Sequence, residues 1–154
     1  MTCIYRILRC PYAKKPFDGE GAYRFGGRWS SPGTRVVYAA EHLSLAMLEY
    51  FVHLDAEDLP KDLVLVTVHV PESVRRLDVD AKELPVNWRE TPGPPELVRI
   101  GDEFIQNRDT AILTVRSALA PAESNWLINP LHPSFPKLRI LPVEPFRYDP
   151  RFFR

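Results

Sequence analysis

The pattern of apolar and polar positions along the chain predicts several short strands and few helices. Cys3–Leu8 reads as a first strand and Val36–Ala39 as a second, shorter one. Leu63–Val70 (LVLVTVHV) is β-branched and almost wholly apolar, which predicts a strand central in a sheet. Val74–Val79, Ala111–Val115 and Leu138–Val143 read as further strands. Two stretches carry a helical signal. Leu43–Leu54 is apolar on most sides and is expected to be largely buried. The second helix opens at Pro94 or Pro95, where proline suits a first helical position. It places Leu97, Ile100, Phe104 and Ile105 on one face. Between the first two strands, residues 11–28 read as a long loop holding four of the seven glycines. Ser31-Pro32-Gly33-Thr34 fits a type II turn, with proline second and glycine third. The mixture predicts the α+β class: one domain over residues 1–154, with a compact mixed sheet core and few helices.

Charge refines this picture. Twenty Lys and Arg balance twenty Asp and Glu, which argues against a protein that grips nucleic acid through a strongly basic surface. The balance hides segregation. Residues 1–40 hold seven basic and two acidic groups, whereas residues 41–62 hold one basic and six acidic. The basic block contains Arg6 and Arg28, so a local anion pocket is compatible with overall neutrality. Fifteen of the twenty basic residues are arginine, the side chain suited to fixed bidentate holds on phosphate and carboxylate. Sixteen prolines, about twice the average share of ~5%, are spread along the chain and predict many fixed turns. Cys3 and Cys10 are too few for a structural zinc site and are expected as free thiols. No apolar run approaches the ~18 residues of a membrane span, and the N-terminus lacks the order of a signal peptide. The expected location is the cytoplasm.

Common catalytic motifs are absent. The chain has no P-loop, no G-x-G-x-x-G, no H-E-x-x-H and no G-x-S-x-G. Three features remain. Glu49 is the only carboxylate within the apolar helix Leu43–Leu54. It must face solvent, pair with an arginine or line a cleft, because an unpaired buried carboxylate is costly. Gly26-Gly27-Arg28-Trp29 lets the backbone bend so that a guanidinium enters a pocket while Trp29 anchors the loop. Ser117 and the stretch Glu123–Pro133 place small polar residues after a buried strand, where turn chemistry and ligand binding are both served.

Taken together, these features resemble the RES domain, a bacterial toxin family named for an Arg, a Glu and a Ser. The matching stretches are Tyr5-Arg6, the glycine-rich Gly19–Trp29, Pro32-Gly33, Val36–Tyr38, Leu45–Glu49, Ser117, and Asn125–Pro133. They run in order over nearly the whole chain. Two positions depart from the family pattern: Ser30 stands where Asn is expected after the Arg-Trp pair, and Arg116 where Pro is expected before the serine.

The resemblance implies an ADP-ribosyltransferase-like fold and NAD⁺ as substrate, with no metal. It assigns catalytic roles to Arg28, Tyr38, Glu49 and Ser117, and places Arg6, Arg28, Tyr38, Ser117 and Asn125 around the dinucleotide. It also implies a cognate antitoxin of the Xre helix-turn-helix type, with no membrane partner. The implied reaction cleaves the nicotinamide–ribose bond, by hydrolysis or phosphorolysis. Transfer of ADP-ribose to a protein and a non-catalytic binding module stay open beside it. The residue types suit the chemistry: a carboxylate stabilises a ribosyl centre with oxocarbenium character, arginine holds a diphosphate, and an aromatic ring stacks.

Overall fold

In the computed structural model, which describes residues 1–154, eight strands form one curled sheet with three α-helices against it. The strands are β1 (Thr2–Arg9), β2 (Val37–Ala40), β3 (Leu63–Val70), β4 (Arg76–Asp78), β5 (Ile112–Arg116), β6 (Ser124–Ile128), β7 (Arg139–Ile140) and β8 (Glu144–Pro145). Their order is β4-β5-β6-β2-β1-β3-β7, with β8 also pairing β3. Only β4 and β5 run parallel; every other pair is antiparallel. The helices are α1 (Glu20–Phe25), α2 (Leu43–Phe51) and α3 (Pro95–Asn107). The class is α+β, as the pattern predicts.

The sheet has a core on each side. One face buries the alternate residues Val64, Val66, Val68 and Val70 of β3 with Ile4, Val37, Trp126 and Ile128. The other face is shared by two helices. Under α3, Leu97 and Phe104 pack with Trp29, Leu113, Val115 and Leu127. Under α2, Leu45 and Ala46 pack with Ile7, Ala40 and Leu63. Strands β1 and β3 pair along their full length, but β1 and β2 share only the Tyr5–Ala40 position. Where β1 and β2 part, Arg6 Nη1 donates to the Tyr38 carbonyl oxygen at 3.1 Å, in place of a backbone ladder bond.

Several expectations need correction. Residues 11–28 are not all loop, because α1 lies within them. Polar contacts rather than an apolar stripe fix that short helix. Asp18 accepts the Glu20 N–H at 3.0 Å, and Glu20 pairs with Arg24 and Arg35, each at 2.8 Å. Strand β3 is next to the edge instead of central, flanked by β1 and the two-residue strands β7 and β8. Its burial alternates, with Thr67 and His69 only partly buried. Helix α2 stops at Phe51 and buries only Leu45 and Ala46, since it packs on the sheet along one side. Leu138–Val143 shortens to the two-residue β7, with β8 starting just beyond it at Glu144, and Val74–Val79 shortens to Arg76–Asp78.

The type II turn forms as expected. Thr34 N donates to Ser31 O at 3.2 Å, and Gly33 takes φ +92°, a value that favours glycine at the third position. Helix α3 begins at Pro95. Its buried residues are Leu97, Gly101 and Phe104, with Ile100 and Ile105 at the margin. Both cysteines are unpaired. No helix is long and apolar enough to cross a membrane.

Candidate active site

Glu49, Ser117 and Asn125 gather on the helix-covered face, between α2 and the adjoining ends of β5 and β6. Glu49 sits in the last turns of α2 and is half-buried. Its Oε1 accepts two hydrogen bonds, from Ser117 Oγ at 2.7 Å and from Asn125 Nδ2 at 2.7 Å. Its Oε2 has no protein partner. Two donors on one oxygen fix the carboxylate plane and leave the second oxygen free to accept from a ligand hydroxyl.

Ser117 follows β5 and is fully buried. Its hydroxyl accepts from Leu119 N and Ala120 N, each at 3.1 Å, while donating to Glu49. One donor and two acceptor sites are all a hydroxyl offers, so the Ser117 oxygen is saturated by protein groups. In this arrangement it orients Glu49 and makes no bond of its own to a ligand. Asn125 lies on β6 opposite Ala40 of β2 and Val115 of β5. That register puts its side chain on the sheet face that α2 covers.

Arg28 is placed by the glycine-rich segment and by the chain around residue 90. Its Nη2 donates to Trp88 O at 2.5 Å and to Glu90 O at 2.8 Å. Gly93 packs close, where a Cβ would lie 3.4 Å from the guanidinium carbon. Arg28 Nε is buried without a partner. Burial lowers the pKa of Arg28, and the negative charge of Glu49 works in the opposite direction. The two side chains therefore feel each other's charge without touching.

Tyr38 does not reach Glu49. Its hydroxyl bonds Ser30 Oγ at 2.7 Å and accepts from Trp29 N at 3.2 Å. Burial raises the pKa of this phenol. A Cβ at Gly27 would fall 2.7 Å from the Tyr38 hydroxyl, so glycine there is what lets the loop close over the ring. The tyrosine thus braces the segment that carries Arg28. Ser30, the departure from the family pattern, supplies the partner for Tyr38. Asp102 of α3 secures the same segment by accepting from Ser31 N at 3.0 Å and Ser31 Oγ at 2.6 Å.

Arg6 touches Tyr38 through the carbonyl bond already described, and its Nε is buried without a partner. Burial lowers its pKa, with Asp18 opposing. The second departure, Arg116, ends β5 opposite Ser124 and donates to Ala122 O at 3.3 Å. It spans the turn that follows Ser117. The structure thus brings Glu49, Ser117 and Asn125 into direct contact and puts Arg28 within the field of Glu49. Arg6 and Tyr38 form a separate pair, joined through the Tyr38 carbonyl oxygen.

Some contributors carried little sequence signal. The carbonyls of Trp88 and Glu90 orient Arg28, and backbone groups carry no residue signature. His42, Glu41 and Glu123 converge so that their ligating atoms lie within 4.8 Å of one another. They are engaged internally: His42 Nδ1 bonds Glu123 Oε1, and Glu41 Oε1 accepts from Ser124 N at 2.7 Å. An open groove of about 360 Å³ beside Trp126 and Arg76 shares no residue with the Glu49 cluster.

The RES domain family profile matches residues 4–149. The chain is 38% identical over 145 residues to a protein of Sphingobium sp. (strain YBL2) named Prs ADP-ribosylating toxin, covering 93% of this chain and 90% of that protein. It is 35% identical over 150 residues to Toxin Res of Yersinia enterocolitica serotype O:8 / biotype 1B, covering 96% and 97% respectively. Among solved structures, the fold is similar to the M. tuberculosis MbcT-MbcA toxin-antitoxin complex. The TM-score is 0.69 at 19% identity, over 99% of this chain and 86% of that one. That likeness concerns the fold alone.

Proposed function

This chain belongs to the RES domain family, and from that premise we propose that it is the toxin of a toxin–antitoxin system and cleaves the nicotinamide–ribose bond of NAD⁺. The observation that carries the reading is the Glu49 carboxylate, held on one oxygen by Ser117 and Asn125 and open on the other. In the proposed reaction the bond between the nicotinamide nitrogen and the ribose C1 carbon breaks. Nicotinamide leaves with the bonding pair as a neutral molecule, and positive charge develops on the ribosyl centre. Water, which releases a proton to solvent, or a phosphate oxygen then forms the new bond to C1. A fixed carboxylate stabilises the developing charge and accepts from a ribose hydroxyl without having to reorganise. Arg28 holds the diphosphate through the N–H groups not spent on Trp88 and Glu90. Arg6, Tyr38 and the loop they support complete the pocket wall, and Tyr38 offers the aromatic face. No step in this scheme is routed through a metal. The names of the relatives, Prs ADP-ribosylating toxin and Toxin Res, support a toxin role and NAD⁺ as substrate. The complex in which the structural neighbour was solved supports an antitoxin partner, and we place that partner in the Xre helix-turn-helix class. The cytoplasm, where NAD⁺ and such a partner are found together, is the proposed location.

Expression without the antitoxin is expected to lower cellular NAD⁺ and arrest growth, with both effects relieved by Glu49→Gln. Stable NAD⁺ during arrest would count against this reading. A second reading, transfer of ADP-ribose to a protein, is favoured by the name of the Sphingobium relative, Prs ADP-ribosylating toxin. Labelled NAD⁺ added to a lysate would then mark a discrete protein band. Free ADP-ribose or its phosphate without any band would return the assignment to hydrolysis or phosphorolysis.

A further inference from the structure

Resting on that reading of Glu49, we infer that His42 and Glu123 are positioning residues for the catalytic carboxylate. They lock the two chain segments that hold it into one register. Neither belongs to the set of side chains around the substrate. The bonds around Glu49 form a closed circuit. His42 is the residue before α2, and its carbonyl oxygen accepts from Ala46 N at 3.0 Å. Its ring Nδ1 bonds Glu123 Oε1 across 81 residues of sequence. The Glu123 carbonyl oxygen accepts from Ser117 N at 3.0 Å, and Glu123 N donates to Ala120 O at 2.8 Å. Ala120 N donates in turn to Ser117 Oγ, which donates to Glu49 Oε1. Glu49 lies on α2, the helix that starts at His42, so the circuit closes.

A second link lies beside it. Glu41 N donates to Ser124 O at 3.2 Å, and Glu41 Oε1 accepts from Ser124 N at 2.7 Å. Glu41 also stands 3.9 Å from His42 Nδ1. Residues 41–42 therefore grip residues 123–124 through both side chains and backbone, one residue before Asn125. Both donors to the Glu49 carboxylate, Ser117 and Asn125, sit on the segment so gripped.

Such a device matters because Glu49 lies beyond the two residues that α2 fully buries, Leu45 and Ala46, on a stretch whose neighbours Met47 and Tyr50 are only partly buried against the core. A carboxylate that must sit within a few tenths of an ångström of its productive position needs a support of fixed length. In the circuit, His42 Nδ1–H donates and Glu123 accepts. This fixes the imidazole tautomer as Nδ1-protonated and gives an interaction that a neutral glutamine at 123 also satisfies.

Glu123→Ala and His42→Ala are expected to lower kcat for NAD⁺ consumption about ten- to a hundredfold, while KM stays within about twofold and the melting temperature falls only slightly. Glu123→Gln is expected to restore most of the loss, since its amide oxygen still accepts from the imidazole. In a Ser117→Ala background, Glu123→Ala is expected to add little, because both changes break one circuit. Loss of affinity in place of kcat, no rescue by Gln, or independent multiplication with Ser117→Ala would overturn the assignment. A readout free of activity separates this inference from the reading beneath it. Amide hydrogen exchange at Ser117, Leu119 and Ala120 is expected to quicken in Glu123→Ala, whether or not the wild type consumes NAD⁺. Unchanged exchange there would also overturn it.

Discussion

The two helices on one face of the sheet are held in opposite ways. Helix α3 is clamped by an apolar core, and its backbone meets the loop it supports so closely that a Cβ at Gly101 would lie 1.6 Å from the Trp29 carbonyl oxygen. Helix α2 fully buries Leu45 and Ala46, packs Met47 and Tyr50 partly on the same cluster, and is tied further by the His42–Glu123 bond at its start and by the chain terminus at its end. There Phe51 packs against Tyr148, Phe152 and Phe153, with ring centroids 5.4–5.9 Å apart. Tyr148 adds a hydrogen bond to the Met47 carbonyl at 2.6 Å. The carboxylate rides on the second helix. The α3 side, with its close backbone contact, bears chiefly on stability, whereas the α2 side also sets where one carboxylate points.

Substitutions on the two sides should therefore fail differently. The largest effect is expected from Gly101→Ala, which must push α3 off the Trp29 loop. It should cost about 3 kcal/mol or more, read as a lowered denaturation midpoint, and activity should fall only with the folded fraction. Glu49→Gln should do the reverse. The Gln oxygen can take the bonds from Ser117 and Asn125, so the denaturation midpoint should hold, while turnover drops roughly 10²- to 10³-fold with the loss of the charge. Ser117→Ala should lie between, lowering kcat about tenfold or more and stability by about 1–2 kcal/mol, because two partly exposed amides lose their acceptor. The smallest effect is expected from Tyr148→Phe, about 1 kcal/mol for one lost hydrogen bond.

The last variant also sharpens the comparison through pH. Burial pushes the Tyr148 phenol up to about 12, above the value of about 10 for an unfolded tyrosine. A folded-state pKa that is raised favours the protonated group in the fold. Its stabilisation is therefore whole below pH 10 and fades as pH rises from about 10 to 12. Tyr38 and Tyr50 are shifted in the same direction by burial. Wild-type denaturation midpoints should fall across that window, and more shallowly in Tyr148→Phe. An equal fall in both proteins would show that the clasp on α2 does not depend on that proton.

The same contrast explains what the sequence made legible. Strands β1, β3 and β5 and helix α3 are long enough for apolar periodicity to expose them. The turn at Pro32-Gly33 is written in residue types. Helix α1 escaped because six residues joined by Glu20, Arg24 and Arg35 carry no apolar stripe. Strand β6 escaped because Ser124 and Asn125 give its start the look of a turn. Its Asn125 nonetheless faces the site because Trp126 and Ile128 point the other way into the valine-rich core. The site was legible through the ordered family motifs and the lone carboxylate at Glu49. The bonds that orient it were not, since they join residues 68 and 76 positions apart in the chain. The backbone acceptors for Arg28 left no trace at all.

The central claim is that the Glu49 carboxylate promotes rupture of the nicotinamide–ribose bond. The most direct test is mass spectrometry of the products formed from labelled NAD⁺ by purified wild-type and Glu49→Gln proteins, with water, phosphate or lysate protein offered as acceptor. The account predicts free nicotinamide from the wild type with at least one acceptor, and release at least about a hundredfold slower from a folded Glu49→Gln. Nicotinamide release at the wild-type rate by Glu49→Gln, or none from the wild type with any acceptor, would contradict it.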